Sequence, residues 1–161
     1  MATGAETLIA ALRAAGVRHV FTLSGNHVMP IFDAAIGSGI ELVHARHEGA
    51  AVHMADAYAR LTGSVGIALV TAGPGHANAL GALYTAAMAE SPVVLLSGHA
   101  PMIEVGKGAF QEMRQADIAA PLVKASGIAK QLPQDLERAI QIAKSGTPGP
   151  VHLSVPADLL A

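Results

Sequence analysis

Apolar runs alternate along the chain with stretches whose apolar positions recur every three or four residues. Leu8, Ile9 and Leu12 form the first such stripe, with Thr3 and Glu6 at capping-box spacing before it and Gly16 after it. That predicts a helix. Residues 19–23 read as a strand, Ser24-Gly25-Asn26 as a turn, and Pro30 suits the first turn of a helix running to about Ala35. Residues 40–43 read as a short buried strand. The stretch 47–61 carries Ala51, Met54, Ala55, Tyr58 and Leu61 at helical spacing and is ended by Gly63. A third strand over 66–71 leads through Ala72-Gly73-Pro74-Gly75 into a helix over about 76–89, and 93–96 is a fourth strand. Residues 97–115 form the longest loop. A helical turn over 116–120, a strand over 122–128, a helix from Pro133 with Leu136, Ile140 and Ala143 inward, and a sixth strand over 151–155 complete the pattern.

Strands that are apolar throughout and alternate with helices predict a parallel sheet covered on both faces. The fold class is therefore α/β: a three-layer, doubly wound domain with about six parallel strands. Such sheets bind ligands at the carboxyl ends of their strands, where the strand order reverses. The turn at Ser24, Glu48, the Gly73 loop and the loop after Ser97 all follow strands, so they are expected on one edge.

At 161 residues the chain is expected to form one domain with a substantial core. Aromatic residues make up only 3% against 52% hydrophobic, so small side chains must pack helix closely on sheet. Basic residues number 10 and acidic residues 12, and no Lys or Arg run forms a stripe, which argues against nucleic-acid or membrane-surface binding. Cysteine is absent, which rules out thiolate chemistry and disulfides and suits a reducing cytoplasm, the expected location. Glu6 and Arg13 inside an amphipathic pattern do not make a signal peptide. No charged residue occurs over 61–89, but Gly73-Pro74-Gly75 breaks that stretch, so strand, turn and buried helix account for it better than a membrane span.

Glu48 is the leading chemical candidate: a single carboxylate in the expected first turn of a helix, where the helix dipole favours an acid whatever its role. Gly73-Pro74-Gly75 before a helix could cradle a phosphate, yet the third glycine of a dinucleotide fingerprint is replaced by Asn78 and no Walker-type Lys follows. A tight turn is the simpler reading. His44, His47 and His53 surround Glu48, but His47 and His53 are six apart and fall on different faces of a helix, which does not suit zinc. Ser24 and Ser97 lack a nucleophile elbow.

Taken together, Gly16-Val17-Arg18-His19-Val20-Phe21, Arg46-His47-Glu48, Ala57-Tyr58-Ala59-Arg60-Leu61-Thr62-Gly63, Thr71-Ala72-Gly73-Pro74-Gly75 with Asn78, Gly108-Ala109-Phe110-Gln111-Glu112 and Gly146-Thr147-Pro148-Gly149-Pro150-Val151 resemble the N-terminal pyrimidine-binding domain of thiamine-diphosphate enzymes. The acetolactate synthase large-subunit family is the type it is most similar to. The resemblance covers about Glu6 to Leu160 and implies thiamine diphosphate as cofactor. It implies that Glu48 hydrogen-bonds ring nitrogen N1′ of the aminopyrimidine, favouring the tautomer whose neighbouring nitrogen takes the proton of the thiazolium C2. Gly25, Gly73, Pro74, Gly75 and Asn78 are implied cofactor contacts. Asn26, Phe110 and Gln111 are implied to face substrate, and Lys124 to lie near the pocket mouth. The implied substrate is a small 2-keto acid, which is decarboxylated and passed to an acceptor.

Asn26 stands where acetolactate synthases usually have glycine, and His76 and His99 also replace commoner residues. The wording around Gly73 and Gly146 is equally close to 2-hydroxyacyl-CoA lyase-like members, so a lyase or an oxalyl-CoA decarboxylase-like domain is the alternative. In the family a separate domain binds diphosphate and magnesium through a Gly-Asp-Gly motif followed by an Asn, which is absent from this sequence. The chain is therefore expected to be a fragment, or a subunit of a split enzyme, that holds no metal itself. It is expected to work as a homodimer or with a diphosphate-binding partner, unless it is a stand-alone, non-catalytic dimerisation module.

Overall fold

The computed structural model describes residues 2–161. Its elements run α1 (Gly4–Ala14), β1 (His19–Thr22), α2 (Met29–Ala35), β2 (Glu41–His44), α3 (Glu48–Thr62), β3 (Gly66–Val70), α4 (Pro74–Met88), β4 (Val93–His99), α5 (Gln115–Ala119), β5 (Ala125–Ile128), α6 (Leu132–Lys144), β6 (Val151–Pro156) and α7 (Ala157–Leu160). All six strands are parallel in the order β2-β1-β3-β4-β6-β5. The expected doubly wound sheet is what forms.

Alternation along each strand sends side chains to two separate cores. Ile67 and Leu69 join Leu8, Leu12, Ile31 and Leu136 of α1, α2 and α6 on one face. Ala68 and Val70 join Ala51, Val52, Ala79 and Leu83 of α3 and α4 on the other. Both faces being covered explains why the central strands are apolar at every position. Small residues set the spacing: a Cβ on Gly66 would lie 2.1 Å from the Ala55 carbonyl oxygen, so α3 rests directly on the start of β3. The scarcity of aromatic residues thus matches a thin, close-packed layer.

The local start and stop signals act as written. Thr3 and Glu6 form a reciprocal capping box, and Gly63 closes α3 in the left-handed conformation. The differences lie at exposed or polar positions. β2 is half-exposed because it lies at the sheet edge with one neighbour, so its apolar letters did not mean full burial. β4 continues through Ser97, Gly98 and His99, which pair with β6 although their side chains resemble a loop. β5 begins only at Ala125, the residues before it forming a short 3-10 turn, Ala120–Leu122. Leu61 is 86% exposed, while Val52, Asp56 and Ala59 take buried positions, so the inward stripe of α3 is rotated from the expected one.

Candidate functional site

The strand order reverses between β1 and β3, and the chain leaves these strands toward opposite faces: β1 feeds α2 and β3 feeds α4. This leaves a crevice at the carboxyl edge. Its two walls almost touch. A Cβ on Gly25 would lie 2.4 Å from the Thr71 Cβ, and one on Gly75 would lie 2.7 Å from the Thr71 Cγ2. Thr71 is therefore wedged between two glycines, and its hydroxyl is buried without a partner.

Glu48 is the first residue of α3 and only 9% exposed. His47 caps the helix, its Nδ1 accepting from the Gly49 amide at 3.0 Å, which directs the chain so that Glu48 turns inward. Because α3 and α4 both start at this edge, Glu48 meets α4. Asn78 donates through Nδ2 to Glu48 Oε2 at 3.0 Å, and Oε1 lies 3.4 Å from where a Gly75 Cβ would be. Among the described residues Oε1 has no hydrogen-bond partner. The carboxylate thus has one oxygen anchored and one free, facing the glycine turn.

That turn is not a phosphate cradle. The Gly73 amide is taken by Gln115 Oε1 at 2.9 Å, Pro74 has no N–H, and the Gly75 and Ala77 amides bond to the carbonyls of Ala72 and Gly73. The simpler reading of a tight strand-to-helix turn holds. Gly73 has φ +58° and ψ −112°, which L side chains avoid, and a Cβ there would lie 2.8 Å from the Gln111 carbonyl oxygen. The long loop therefore lies directly on the turn.

Phe110 and Gln111 come to the crevice on that loop. The Phe110 ring is exposed and stacks on His27 with centroids 5.9 Å apart and planes 9° from parallel. Gln111 adopts φ +58°, and its Oε1 is buried without a partner. Asn26 opens the 3-10 turn Asn26–Val28 and is exposed at the mouth. Lys124 is not brought to this group. It precedes β5 at the amino edge of the sheet, where its Nζ donates to the carbonyl oxygens of Ile142 and Ser145 at the end of α6. In this chain it closes a helix end, as a cation there is expected to.

Ser97, His76 and His99 stood out in the sequence without a sign of their burial, and His27, Gln115, His152 and Ser154 did not stand out at all. His27, His76, His99, Ser97, Gln115, His152 and Ser154 are all buried. Burial holds the pKa of His27 below its usual value, pushes His76 down to about 4, and holds His152 well below the usual histidine range. For Ser97, His99, His152 and Ser154 the one signal was a polar residue in an otherwise apolar strand, whereas His27, His76 and Gln115 lie in helical turns and gave none. Above them Glu112 is held below the usual carboxylate range by the Gly106 amide, which it bonds at 2.7 Å. The metal candidates separate: His44 packs on Phe32, His47 caps α3 and His53 is exposed. Among the described residues no group of three His, Asp or Glu converges, and no helix is long and apolar enough to cross a membrane.

Comparison with known proteins agrees with this geometry. The family described as thiamine pyrophosphate enzyme, N-terminal TPP binding domain, matches residues 2–118. The acetolactate synthase isozyme 3 large subunit of Escherichia coli is 46% identical over 99% of this chain and 29% of its own length. The 2-hydroxyacyl-CoA lyase 2 of Danio rerio is 44% identical over 98% of this chain and 26% of its own, and that of Homo sapiens is 44% identical over 98% and 25%. The chain spans about a quarter of the length of the curated relatives it matches. It belongs to the thiamine pyrophosphate enzymes, as their N-terminal TPP binding domain.

Proposed function

We propose that this domain holds the pyrimidine end of thiamine diphosphate and activates it through Glu48, as part of an enzyme acting on a small 2-keto acid in the manner of an acetolactate synthase. The observation that carries this reading is the free Glu48 Oε1, which faces Gly75 only 3.4 Å from where a side chain there would begin. An orphaned acceptor and an unfilled wall suit a flat, nitrogen-bearing ring. When bound, the cofactor would supply a nucleophilic carbon for attack on the keto group.

The chain's own residues have separable tasks. Asn78 fixes one carboxylate oxygen, so that Glu48 can hold or release a proton only at Oε1. Gly25, Gly73, Pro74 and Gly75 shape the ring's slot, while Asn26, Phe110 and Gln111 form the side from which substrate would approach. Lys124 takes no part within this chain. Diphosphate and magnesium would be bound by a domain or subunit of the kind the relatives carry in their remaining length, with the site at its junction with this domain.

Co-expression with a diphosphate-binding domain from an acetolactate synthase tests this. Pyruvate decarboxylation that Glu48→Gln lowers by about 10²-fold or more, without loss of folding, is the expected result. Complex formation without turnover would instead favour a non-catalytic module. The 44% identity to 2-hydroxyacyl-CoA lyases supports a second substrate class, so the same assay should include a 2-hydroxyacyl-CoA. Asn26 variants are expected to change which of the two is used.

A further inference from the structure

Gln115 is almost fully buried and joins three separate segments at once. Its Oε1 accepts from the Gly73 amide at 2.9 Å, while its Nε2 donates to the Gly98 carbonyl and to Ser154 Oγ, each at 3.0 Å. The partners fix its orientation. An amide N–H must face oxygen and a carbonyl must face NH₂, so the reversed amide would break at least two of the three bonds.

The bonding continues beyond it. The Ser126 hydroxyl donates its only proton to the Ala116 carbonyl at 2.8 Å, so at 2.8 Å from His152 Nδ1 it can only accept. His152 therefore carries its proton on Nδ1. Burial keeps the ring neutral, which leaves Nε2 as an acceptor for the Ser154 hydroxyl at 3.3 Å. Gln115, Ser154, His152, Ser126 and Ala116 thus form a chain of hydrogen bonds with one direction throughout. It starts and ends on α5, the element that follows the loop bearing Phe110 and Gln111.

We propose that Gln115 is a positioning residue that sets the register of the substrate-facing loop on the Gly73–Gly75 turn, its own amide being held by the directed chain through Ser154, His152 and Ser126. The Gly73 bond fastens the turn from which Asn78 reaches Glu48. The peptide before α5 fastens the loop, which touches the same turn where the Gln111 carbonyl approaches Gly73. One side chain therefore holds both halves of the crevice. The effect on substrate rests on the function proposed above, whereas the bonding itself does not.

Two measurements separate these parts. In the isolated ¹⁵N-labelled chain, imidazole nitrogen shifts should show neutral His152 with its proton on Nδ1 at pH 7, and Ser126→Ala should move that proton toward Nε2. Gln115→Met, of similar volume, should raise the exchange rate of the Gly73 amide at least tenfold and shift the amide signals of Phe110, Gln111 and Asn78 together. A wild-type Nε2–H tautomer, or unchanged Gly73 exchange in a folded Gln115→Met chain, overturns the proposal. In the assembled enzyme Gln115→Met should raise KM for pyruvate tenfold or more, with a smaller change in kcat. Leu83→Ala, which only removes packing, should leave KM unchanged, because lost stability lowers the number of active sites and not their affinity. Equal KM in Gln115→Met and wild type also overturns it. If the wild-type assembly fails to turn over, the functional reading fails and the nitrogen shifts and exchange rates still decide the role of Gln115.

Discussion

Thr71 shows how narrow the tolerances at the crevice are. Its Cγ2 occupies the space that a side chain at position 75 would need, and its Cβ the space for one at position 25. Gly75→Ala is expected to destabilise the chain by about 1–3 kcal/mol through overpacking. Thr71→Ala should recover most of that loss, since it removes Cγ2 and leaves the two Cβ atoms 3.6 Å apart, an ordinary contact. Urea denaturation of the two single variants and the double variant measures the coupling, and additive effects would refute the wedge. None of this is legible in the sequence. Gly25 and Gly75 could be placed in turns by their neighbours, but the collision partner lies 46 positions from one and four from the other. Glu48 was legible as a helix-start acid, whereas its anchoring by Asn78 needed the packing of α3 beside α4.

At the scale of elements, the reading succeeded where chemistry repeats. Apolar strands, alanine-rich helices and capping residues each state their own structure, which is why six strands could be counted and ordered along the chain before folding. It failed where a neighbour decides. β4 gained Ser97, Gly98 and His99 only because β6 runs beside them, and β2 lost burial because nothing covers its outer edge. Lys124 was carried by resemblance toward the pocket and belongs to the opposite edge, since a strand starting at Ala125 puts the residue before it at the amino end. The N-terminal helix offers a clean local test. Thr3→Ala removes the capping oxygen that receives the Glu6 amide at 3.1 Å and is expected to cost about 1 kcal/mol. A lowered thermal midpoint checks this, with the carboxyl edge of the sheet unaffected.

For the whole molecule, the buried histidines make stability depend on pH. His76 is neutral in the fold, with its pKa pushed down to about 4, whereas in the unfolded chain it titrates near 6.5. The unfolded state therefore binds more protons between these values, so stability is full above pH 6.5 and falls as pH drops toward 4. His152 adds to the same trend. Over that whole range the loss from His76 is on the order of 3 kcal/mol. Chemical denaturation at pH 7.5 and pH 5 reads it, and His76→Gln should flatten the difference if it folds. A pH-independent midpoint in the wild type would contradict the burial of a neutral ring.

The position of β6 has a consequence for synthesis. β5 pairs with β6 alone, and β4 meets β5 only through it. While the ribosome has yet to release Val151–Pro156, the nascent chain carries two strands with open edges and no means of joining them. The segment that follows β4 must therefore wait, unpaired, for β6. Chains cut before Val151 are expected to sediment as aggregates, while those that include Val151–Pro156 remain in solution, a difference that pelleting of truncated translation products would reveal.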